Sequence, residues 1–273
     1  MGRIRIWKGD IADAASIQAC VDAVRPELVF HLAGDTSGRR WAGGLSELDT
    51  SLQVNLGGTL NLIRALQALP VAPRRLIRAG GLAEYGEARA PFAEEDLPMP
   101  VSAYGASQAA ATIAVHAMRR QLKFPVITLR FAAVYGPGRS EDFFLPSLII
   151  HCLKGMEFPM TAGDQPWDLI YVDDTVDALI RASSAEVAGG EIINIGSGRR
   201  PTLREIAGLV VEKIGGAASL RIGARAPSAG DIAELYCRID KAKSLLGWEP
   251  NVALNDGLDR TIAWYRERMG QVA

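Results

Sequence analysis

The sequence contains few cysteines, and their spacing pairs none of them. Its 273 residues include three, Cys20, Cys152 and Cys237, an odd number spread widely along the chain. This pattern excludes a disulfide framework and a cysteine-based zinc site, so no metal ion is expected. Free cysteines are typical of a reducing compartment and favour a cytoplasmic protein.

The chain also lacks an excess of charge of one sign and a long apolar run. Lysine and arginine number 30 against 31 aspartates and glutamates, which gives a formal net charge of −1. Without a basic run there is no electrostatic footprint for nucleic acid or for an anionic membrane. The longest apolar stretch, residues 143–150, contains Pro146 and is too short to cross a bilayer. We therefore expect a globular protein that binds neither nucleic acid nor a membrane.

Several well-known catalytic and nucleotide-binding patterns are absent. The sequence has no G-x-G-x-x-G, G-x-x-G-x-x-G, G-x-x-x-x-G-K-[ST], H-E-x-x-H or G-x-S-x-G segment. These absences remove the P-loop, zincin and α/β-hydrolase interpretations. Any functional assignment has to rest on weaker local signals taken together.

Short β-branched runs alternate with longer helical patterns. Strands are predicted at residues 4–7, 28–32, 75–79, 126–130, 169–172 and 192–195. Helices are predicted at residues 14–24, 52–69, 103–121, 174–182 and 203–214. Such alternation predicts βαβ units and an α/β fold with a parallel sheet.

Four local signals stand at the ends of these elements. Asp10 precedes the first helix and could contact an adenine edge, but helix capping together with Asp13 is favoured. His31 ends a buried strand and is interpreted as a core histidine, and the small residues that follow it leave room for a ligand. Tyr104 and the glutamine four residues later share one helix face. Asp174 is predicted to cap a helix.

Taken in order, these pieces resemble the extended short-chain dehydrogenase/reductase family of nucleotide-sugar epimerases and dehydratases. The segments that carry the resemblance are GDIAD, HLAG, NLGGTLNLIRA, EYGEARAPFAEED, YGASQ, LRFAAVYGPG, WDLIYVDD, NIGSG and AKSLLGWEPNVALNDGLDRTIAWYR. The resemblance implies a Rossmann-like parallel sheet with flanking helices that binds NAD or NADP. It assigns the cofactor domain to residues 1–142, with returning strands near 169–195, and a smaller mixed α/β substrate lobe to residues 143–273.

The resemblance also implies the residues of the site. The family's acid–base tyrosine, which acts on a substrate hydroxyl, matches Tyr104. Cofactor contacts fall on Asp10, Ile11, Leu32, Ala33, Gly34, Tyr104, Gln108, Phe131 and Val134. Substrate positions fall on Ala133, Trp167, Arg225 and Ser228, the last just before Gly230 and Asp231, and Arg139 is an alternative anchor.

At the catalytic positions the chain departs from the family. The lysine that lowers the phenol pKa is replaced by Gln108, which could hydrogen-bond a ribose but carries no charge. An unperturbed phenol is ionised to only ~0.1% near pH 7, and losing the lysine costs roughly 3–4 kcal/mol of base strength. The Ser/Thr position falls on Gly81, so its hydroxyl is missing too.

The anchors for the sugar-nucleotide diphosphate depart from the family as well. An asparagine and two arginines of many relatives are replaced by Ala133, Trp167 and Ser228. Loss of two charge-assisted phosphate contacts weakens the nucleotide-diphosphate interpretation and favours a related sugar-like substrate.

The match begins near the family's third strand. About 40–50 residues of the family pattern, by the size of a βαβ unit, have no counterpart ahead of it. In the family they hold the pyrophosphate and form the central strands of a 3-2-1-4-5-6 sheet. Strands 4–7 and 28–32 are therefore not expected to be neighbours, and strand edges and apolar faces should be uncovered. Either the strands pair differently, or a partner fills the gap, or the natural chain is longer.

Two functions agree with these residues. One is an NAD(P)-dependent epimerase, dehydratase or reductase of a sugar nucleotide or related substrate, weak or inactive as the chain stands. The alternative is a catalytically silent member that acts as a binding or assembly protein. A third possibility, a gene remnant, predicts little stable folded protein. The resemblance also implies a homodimer through helices 52–69 and 103–121.

Overall fold

A four-stranded parallel sheet forms the centre of the structure, a computed structural model that describes residues 4–39, 44–186, 188–228 and 231–270. The strands are β1 (Leu28–His31), β2 (Arg75–Gly81), β3 (Val126–Phe131), β4 (Ala133–Tyr135), β5 (Glu157–Pro159), β6 (Leu169–Tyr171), β7 (Ile192–Ile195) and β8 (Ser219–Arg221). The helices are α1 (Ala14–Val24), α2 (Gly44–Ser51), α3 (Gly58–Ala68), α4 (Ala103–Met118), α5 (Phe144–Leu153), α6 (Val172–Ser184), α7 (Leu203–Ile214), α8 (Asp240–Leu246) and α9 (Leu254–Gly270).

The central sheet has the order β1-β2-β3-β7, with every pair parallel. Its register aligns Leu28 with Arg75 and Leu76 with Val126. Helices cover β2 and β3, whose apolar residues are almost completely buried. The α/β fold with a parallel sheet is thus confirmed, since βαβ crossovers bury such strands on both faces.

Local capping sets the helix starts that the sequence predicts. The carboxylate of Asp13 accepts a hydrogen bond from the Ala15 amide at the start of α1. Thr202 and Glu205 form a capping box at the start of α7. Both helices have the predicted bounds, because the caps depend on residues adjacent in sequence.

The predicted helix at residues 52–69 begins earlier than expected. α2 starts at Gly44 and continues through a π-helical stretch, Leu52–Gly57, into α3, which ends at Ala68. A β-carbon at Gly58 would lie 2.8 Å from Ile11, so this helix approaches the turn before α1 closely. The predicted helix at 174–182 also begins earlier, at Val172.

The strand predicted at residues 4–7 does not form. This segment has no strand partner among the described residues, and Ile4 and Ile6 are about nine-tenths exposed (90% and 91%). Of the strands in the described part of the chain, only β2 pairs with β1. A strand exists only where a neighbour completes its backbone hydrogen bonds, and here none lies beside it. The expected uncovered edges and apolar faces are therefore present.

A second apolar core lies around α5, α7 and α9. Two short parallel pairs, β4 with β6 and β5 with β8, flank it. Ala133 and Trp167 pack against both this core and the core of the central sheet, so they connect the two. None of the described helices combines the length and the apolarity that a bilayer crossing requires.

Asp174 is not a helix cap, contrary to the prediction. α6 begins two residues earlier, and the Asp174 carboxylate accepts hydrogen bonds from the amides of Asn251 (2.9 Å) and Val252 (3.0 Å). Its carbonyl oxygen accepts a hydrogen bond from the indole of the buried Trp248 (3.1 Å). The residue is structural, as expected, but its carboxylate binds the segment before α9. No side chain caps the start of α6 among the described residues.

Candidate functional site

The carboxyl ends of β1 and β2 open on the same edge of the sheet. After His31 the chain continues through the exposed residues Leu32, Ala33 and Gly34. β2 ends next to it in Gly80 and Gly81. Ligands of open parallel sheets bind beyond this edge, and small residues leave space there.

Tyr104 lies at this edge because α4 begins there. Ser102 caps the helix, its hydroxyl accepting a hydrogen bond from the Gly105 amide (3.1 Å). A β-carbon at Gly105 would lie 2.4 Å from the Ala83 carbonyl oxygen, so the first turn of α4 packs directly on the turn after β2. A β-carbon at Gly81 would lie 3.2 Å from the Tyr104 hydroxyl. The structure therefore brings these two predicted catalytic positions together.

Gln108 follows Tyr104 by one helical turn and is buried. Its Oε1 accepts a hydrogen bond from Arg78 Nη2 (2.5 Å), which fixes the amide orientation, because a guanidinium can only donate. The opposite atom, Nε2, lies 3.5 Å from the position of a β-carbon on Gly34. Among the described residues Nε2 has no hydrogen-bond partner, so its donors are directed to the open edge near Gly34.

Asn55, in the π-helical stretch, joins the loop after β1 to α4. Its Oδ1 accepts from the Asp35 amide (2.7 Å), and its Nδ2 donates to the Asp35 carbonyl (3.0 Å) and to Ser107 Oγ (2.8 Å). The Ser107 hydroxyl in turn donates to the Tyr104 carbonyl (2.9 Å). This buried chain of hydrogen bonds holds Gly34 and Tyr104 at a constant separation, because a satisfied polar network is rigid.

A buried ion pair supports the backbone behind Gly81. Glu84 Oε2 accepts from Arg130 Nε (2.8 Å), and its Oε1 accepts from the Gly81 amide (3.2 Å). A β-carbon at Gly80 would lie 2.4 Å from Glu84 Oε1, so the carboxylate approaches where only glycine fits. The guanidinium of Arg130 lies 4.5 Å from the Tyr85 ring centroid.

The groups around Tyr104 shift the pKa of its phenol in opposite directions. Burial raises its pKa above the usual value, and the Glu84 carboxylate raises the pKa further. Three cations, Arg78, Arg139 and Arg39, lower the pKa of the phenol and so oppose part of this effect.

His31 is a core residue, as predicted. Its Nε2 lies 3.0 Å from the Thr59 hydroxyl, and its side chain is buried. Burial, and secondarily the Arg78 charge, lower the pKa of His31 to about 4. The imidazole is therefore neutral at pH 7 and adds no charge to the site.

The predicted adenine-side residues make structural contacts. Asp10 Oδ1 accepts from the Ala12 amide (2.9 Å), in the turn that leads into α1. The carbonyl of Ile11 accepts from Asn61 of α3 (3.2 Å). Ile11 therefore contacts α3, whereas Asp10 is exposed in the turn before α1.

The remaining predicted positions lie at the end of β3, in β4, just before β6 and in the segment after β8. Phe131 ends β3, and Val134 and Ala133 follow in β4. The Trp167 indole donates to the Ile232 carbonyl (3.3 Å), which brings it beside the segment that contains Ser228 and Asp231.

The two arginine candidates lie in different surroundings. Arg225 lies on the exposed segment after β8. Further along this segment, Gly230 lies outside the described residues. Arg139 acts on the predicted site, because its charge lowers the pKa of the Tyr104 phenol. Its guanidinium lies 3.6 Å from the centroid of the Phe143 ring.

Sequence reasoning missed Asn55, Arg78 and Glu84. Arg78 could have been recognised from the sequence, since a charged residue in the middle of a buried strand is rare unless it is paired. Asn55 and Glu84 carried none, because their partners are brought near only by the fold.

The comparisons with known proteins agree with this architecture. The family model described as the NAD dependent epimerase/dehydratase family matches residues 2–196. A UDP-glucose 4-epimerase of Mycolicibacterium smegmatis is 27% identical over 267 residues, covering 96% of this chain and 82% of the relative. A dTDP-glucose 4,6-dehydratase of Neisseria gonorrhoeae is 29% identical, covering 94% and 79%.

Solved structures give the same result. MoeE5 in complex with UDP-glucuronic acid and NAD superposes with a TM-score of 0.88 at 30% identity, covering 98% of this chain and 87% of that one. The UDP-glucose 4-epimerase of Thermus thermophilus in complex with NAD gives 0.87 at 25% identity, covering 96% and 85%.

Proposed function

Because the chain belongs to the NAD-dependent epimerase/dehydratase family, we propose that it binds NAD or NADP and acts slowly on a nucleotide sugar or a related sugar-like substrate. The main support for this proposal is that Tyr104, Gly81 and Gln108 lie close together beside Gly34, at the carboxyl edge of the sheet. Relatives with the same fold include complexes with NAD and with UDP-sugars.

The donors at this edge fit the ribose end of such a cofactor. Gln108 Nε2 has no hydrogen-bond partner among the described residues and lies 3.5 Å from the position of a β-carbon on Gly34, so it would donate to a ribose hydroxyl beside that glycine. Ala33 and Gly34 would lie along the cofactor, and Phe131 and Val134 would bound the nicotinamide side. Held there, the cofactor would supply an acceptor for a hydride from the sugar carbon.

In this proposal Tyr104 moves the proton. Its phenolate takes the proton of the substrate hydroxyl as the carbonyl forms, and the phenol returns a proton when the carbonyl is reduced. Gly81 provides no second hydrogen bond to that oxygen, and the raised pKa of Tyr104 keeps most of the phenol protonated. Both features support a slow reaction.

The same residues limit how the substrate is held. Arg139 is the proposed anchor for an anionic group, since its charge is felt at Tyr104, and Arg225 could contribute from its exposed segment. Ala133, Trp167 and Ser228 cannot form ion pairs with a diphosphate. These replacements favour an affinity lower than that of a site with arginines in these places.

Two further features belong to the proposal. A homodimer through helices 52–69 and 103–121 is supported by Ile113, which is 58% exposed on α4 although large and apolar. A cytoplasmic location is supported by the three free cysteines.

The test combines binding with turnover. The chain is titrated with NAD⁺ and NADP⁺ by calorimetry and then incubated with UDP-glucose, UDP-glucuronate and dTDP-glucose, with the products separated by chromatography. We expect cofactor binding and slow conversion, which Tyr104→Phe abolishes while Tyr236→Phe, the control, does not. Cofactor binding without any conversion would favour the silent binding protein instead, and absence of cofactor binding would refute the proposal.

A further inference from the structure

Arg78 is a buried cation without an anionic partner of its own. It lies on β2 and is 1% exposed. Nη1 donates to Thr112 Oγ1 (2.8 Å), and Nη2 donates to the carbonyl oxygen (3.2 Å) and to Oε1 (2.5 Å) of Gln108. Within the described ranges no carboxylate forms an ion pair with it, since Glu84, the acid that acts on it most strongly, is bound to Arg130.

The buried cluster around Arg78 therefore carries a net positive charge. Arg78 and Arg130 contribute two cations and Glu84 one anion, while His31, aligned with Arg78 in the neighbouring strand, is neutral. A buried charge held only by neutral acceptors is unfavourable, and an anion that forms beside it lowers that cost. The Tyr104 phenolate is such an anion, because Arg78 contacts Gln108, which shares a helix face with Tyr104, and the Arg78 charge favours the ionised phenol.

We propose that Arg78 is the positioning cation of the Tyr104 site, acting from β2 on the phenol and, through its hydrogen bond to Gln108, on the donors that face Gly34. The inference rests on the proposed function of Tyr104 as the proton-transferring group. It explains why residue 108 is uncharged, since a lysine there would place a second cation against the guanidinium.

Four charged groups face Tyr104 from the surrounding elements. Arg78 comes from β2, Glu84 from the turn after it, Arg139 from the segment after β4, and Arg39 from the turn after β1. Arg78 also donates a hydrogen bond to Gln108, the residue one turn after Tyr104. Variants of Arg78 and Gln108 therefore separate its effect from those of the other three.

The experiment replaces Tyr104 with 3-nitrotyrosine, whose phenol titrates in an accessible pH range and absorbs visible light when ionised. The titration midpoint is measured in the otherwise unmodified chain, in Arg78→Met and in Thr112→Val. Arg78→Met should raise the midpoint by about one unit, because a nearby opposite charge lowers a phenol pKa. Thr112→Val, which removes one acceptor of Arg78 and keeps the charge, should leave the midpoint nearly unchanged.

A second pair of variants controls for folding and for shape. Arg78→Met/Gln108→Lys and Arg78→Met/Gln108→Met carry unbranched side chains of similar length at position 108, one charged and one neutral. The lysine variant should have the lower midpoint by about one unit, because its charge takes the place of the one removed at Arg78. If Arg78→Met does not raise the midpoint, the proposal is wrong.

Turnover then distinguishes this inference from the proposed function. With Tyr104 intact, Arg78→Met should lower kcat near pH 7 about tenfold with little change in KM, and Gln108→Lys in that background should restore it. A shifted midpoint in a chain that converts no nucleotide sugar would leave the role of Arg78 supported and the proposed activity refuted.

Discussion

At the scale of single residues, Asp168 shows how burial and hydrogen bonding compete at one carboxylate. The side chain is buried just before β6 and accepts hydrogen bonds from the Ser197 amide (2.8 Å), the Ser197 hydroxyl (2.6 Å) and the Gly198 amide (3.1 Å). Burial nevertheless raises the pKa of Asp168 from 3.8 to about 6. Desolvation therefore outweighs the three hydrogen bonds.

This shift predicts a pH-dependent stability. Because the folded-state pKa exceeds the unfolded value, folding favours the protonated acid, and this stabilisation is present below pH 4 and lost as the pH rises through 6. The free energy of unfolding of the native chain minus that of Asp168→Asn should fall by about 2.5 kcal/mol between pH 4 and pH 7. Urea unfolding at several pH values measures it. The control is Asp164→Asn, at an exposed ion pair; the native value minus the value for this variant should change little with pH. A pH-independent difference for Asp168→Asn would contradict the raised pKa of Asp168.

Gly80 offers a second prediction at this scale. A β-carbon there would displace the Glu84 carboxylate, and disturbing a buried ion pair costs about 3–5 kcal/mol. Gly80→Ala should lower the free energy of unfolding by about that amount in urea titrations. Gly208→Ala in α7, where nothing lies within 4 Å of the new carbon, should raise it by about 0.5–1 kcal/mol. Equal effects of the two substitutions would refute the explanation.

At the scale of elements, β1 is an edge strand of the central sheet, and no described strand pairs with its outer side. The edge exposes unpaired backbone groups, and Phe30 and Leu32 are exposed close to it. The extended segment that contains Ile4 and Ile6 adds apolar surface without burying it. Free strand edges and apolar patches promote association.

The prediction at this scale concerns those two isoleucines. Ile4→Ser/Ile6→Ser should reduce binding of a hydrophobic dye and light scattering on concentration. It should change the free energy of unfolding by less than about 0.5 kcal/mol, because the side chains are already exposed. Leu76→Ser, at a fully buried position of β2, is the contrasting variant and should unfold the chain at much lower urea. A large loss of stability in the double variant would show that the segment is packed in solution.

At the scale of the whole molecule, two apolar cores meet at the β4–β6 pair. Ala133 and Trp167 contact both cores, and the Asp174 carboxylate fastens the segment between α8 and α9 to α6. The site at Tyr104 lies at the edge of the central sheet, beside the junction to β4. Its geometry depends on both the sheet and the packing of α4.

The proposed dimer gives the prediction at this scale. Ile113→Glu should convert a dimer into a monomer in sedimentation equilibrium, because a charge would be buried against its own copy. Ile180→Glu on α6 is a matched control, since Ile180 is 57% exposed against 58% for Ile113. A monomeric native chain, or a dimer unaffected by Ile113→Glu, would refute this interface.

The sequence by itself determined the parallel α/β architecture and the bounds of α1, α7 and β7, because caps and apolar periodicity act between residues close along the chain. Through the family resemblance it also led to the prediction that Gly81 and Gln108 occupy the catalytic Ser/Thr and Lys positions. Only the tertiary structure decided that residues 4–7 form no strand, since a strand depends on a neighbour remote in sequence. Only it decided that Arg78 contacts Gln108, thirty residues away, because the cost of burying a charge is met by partners that folding brings together.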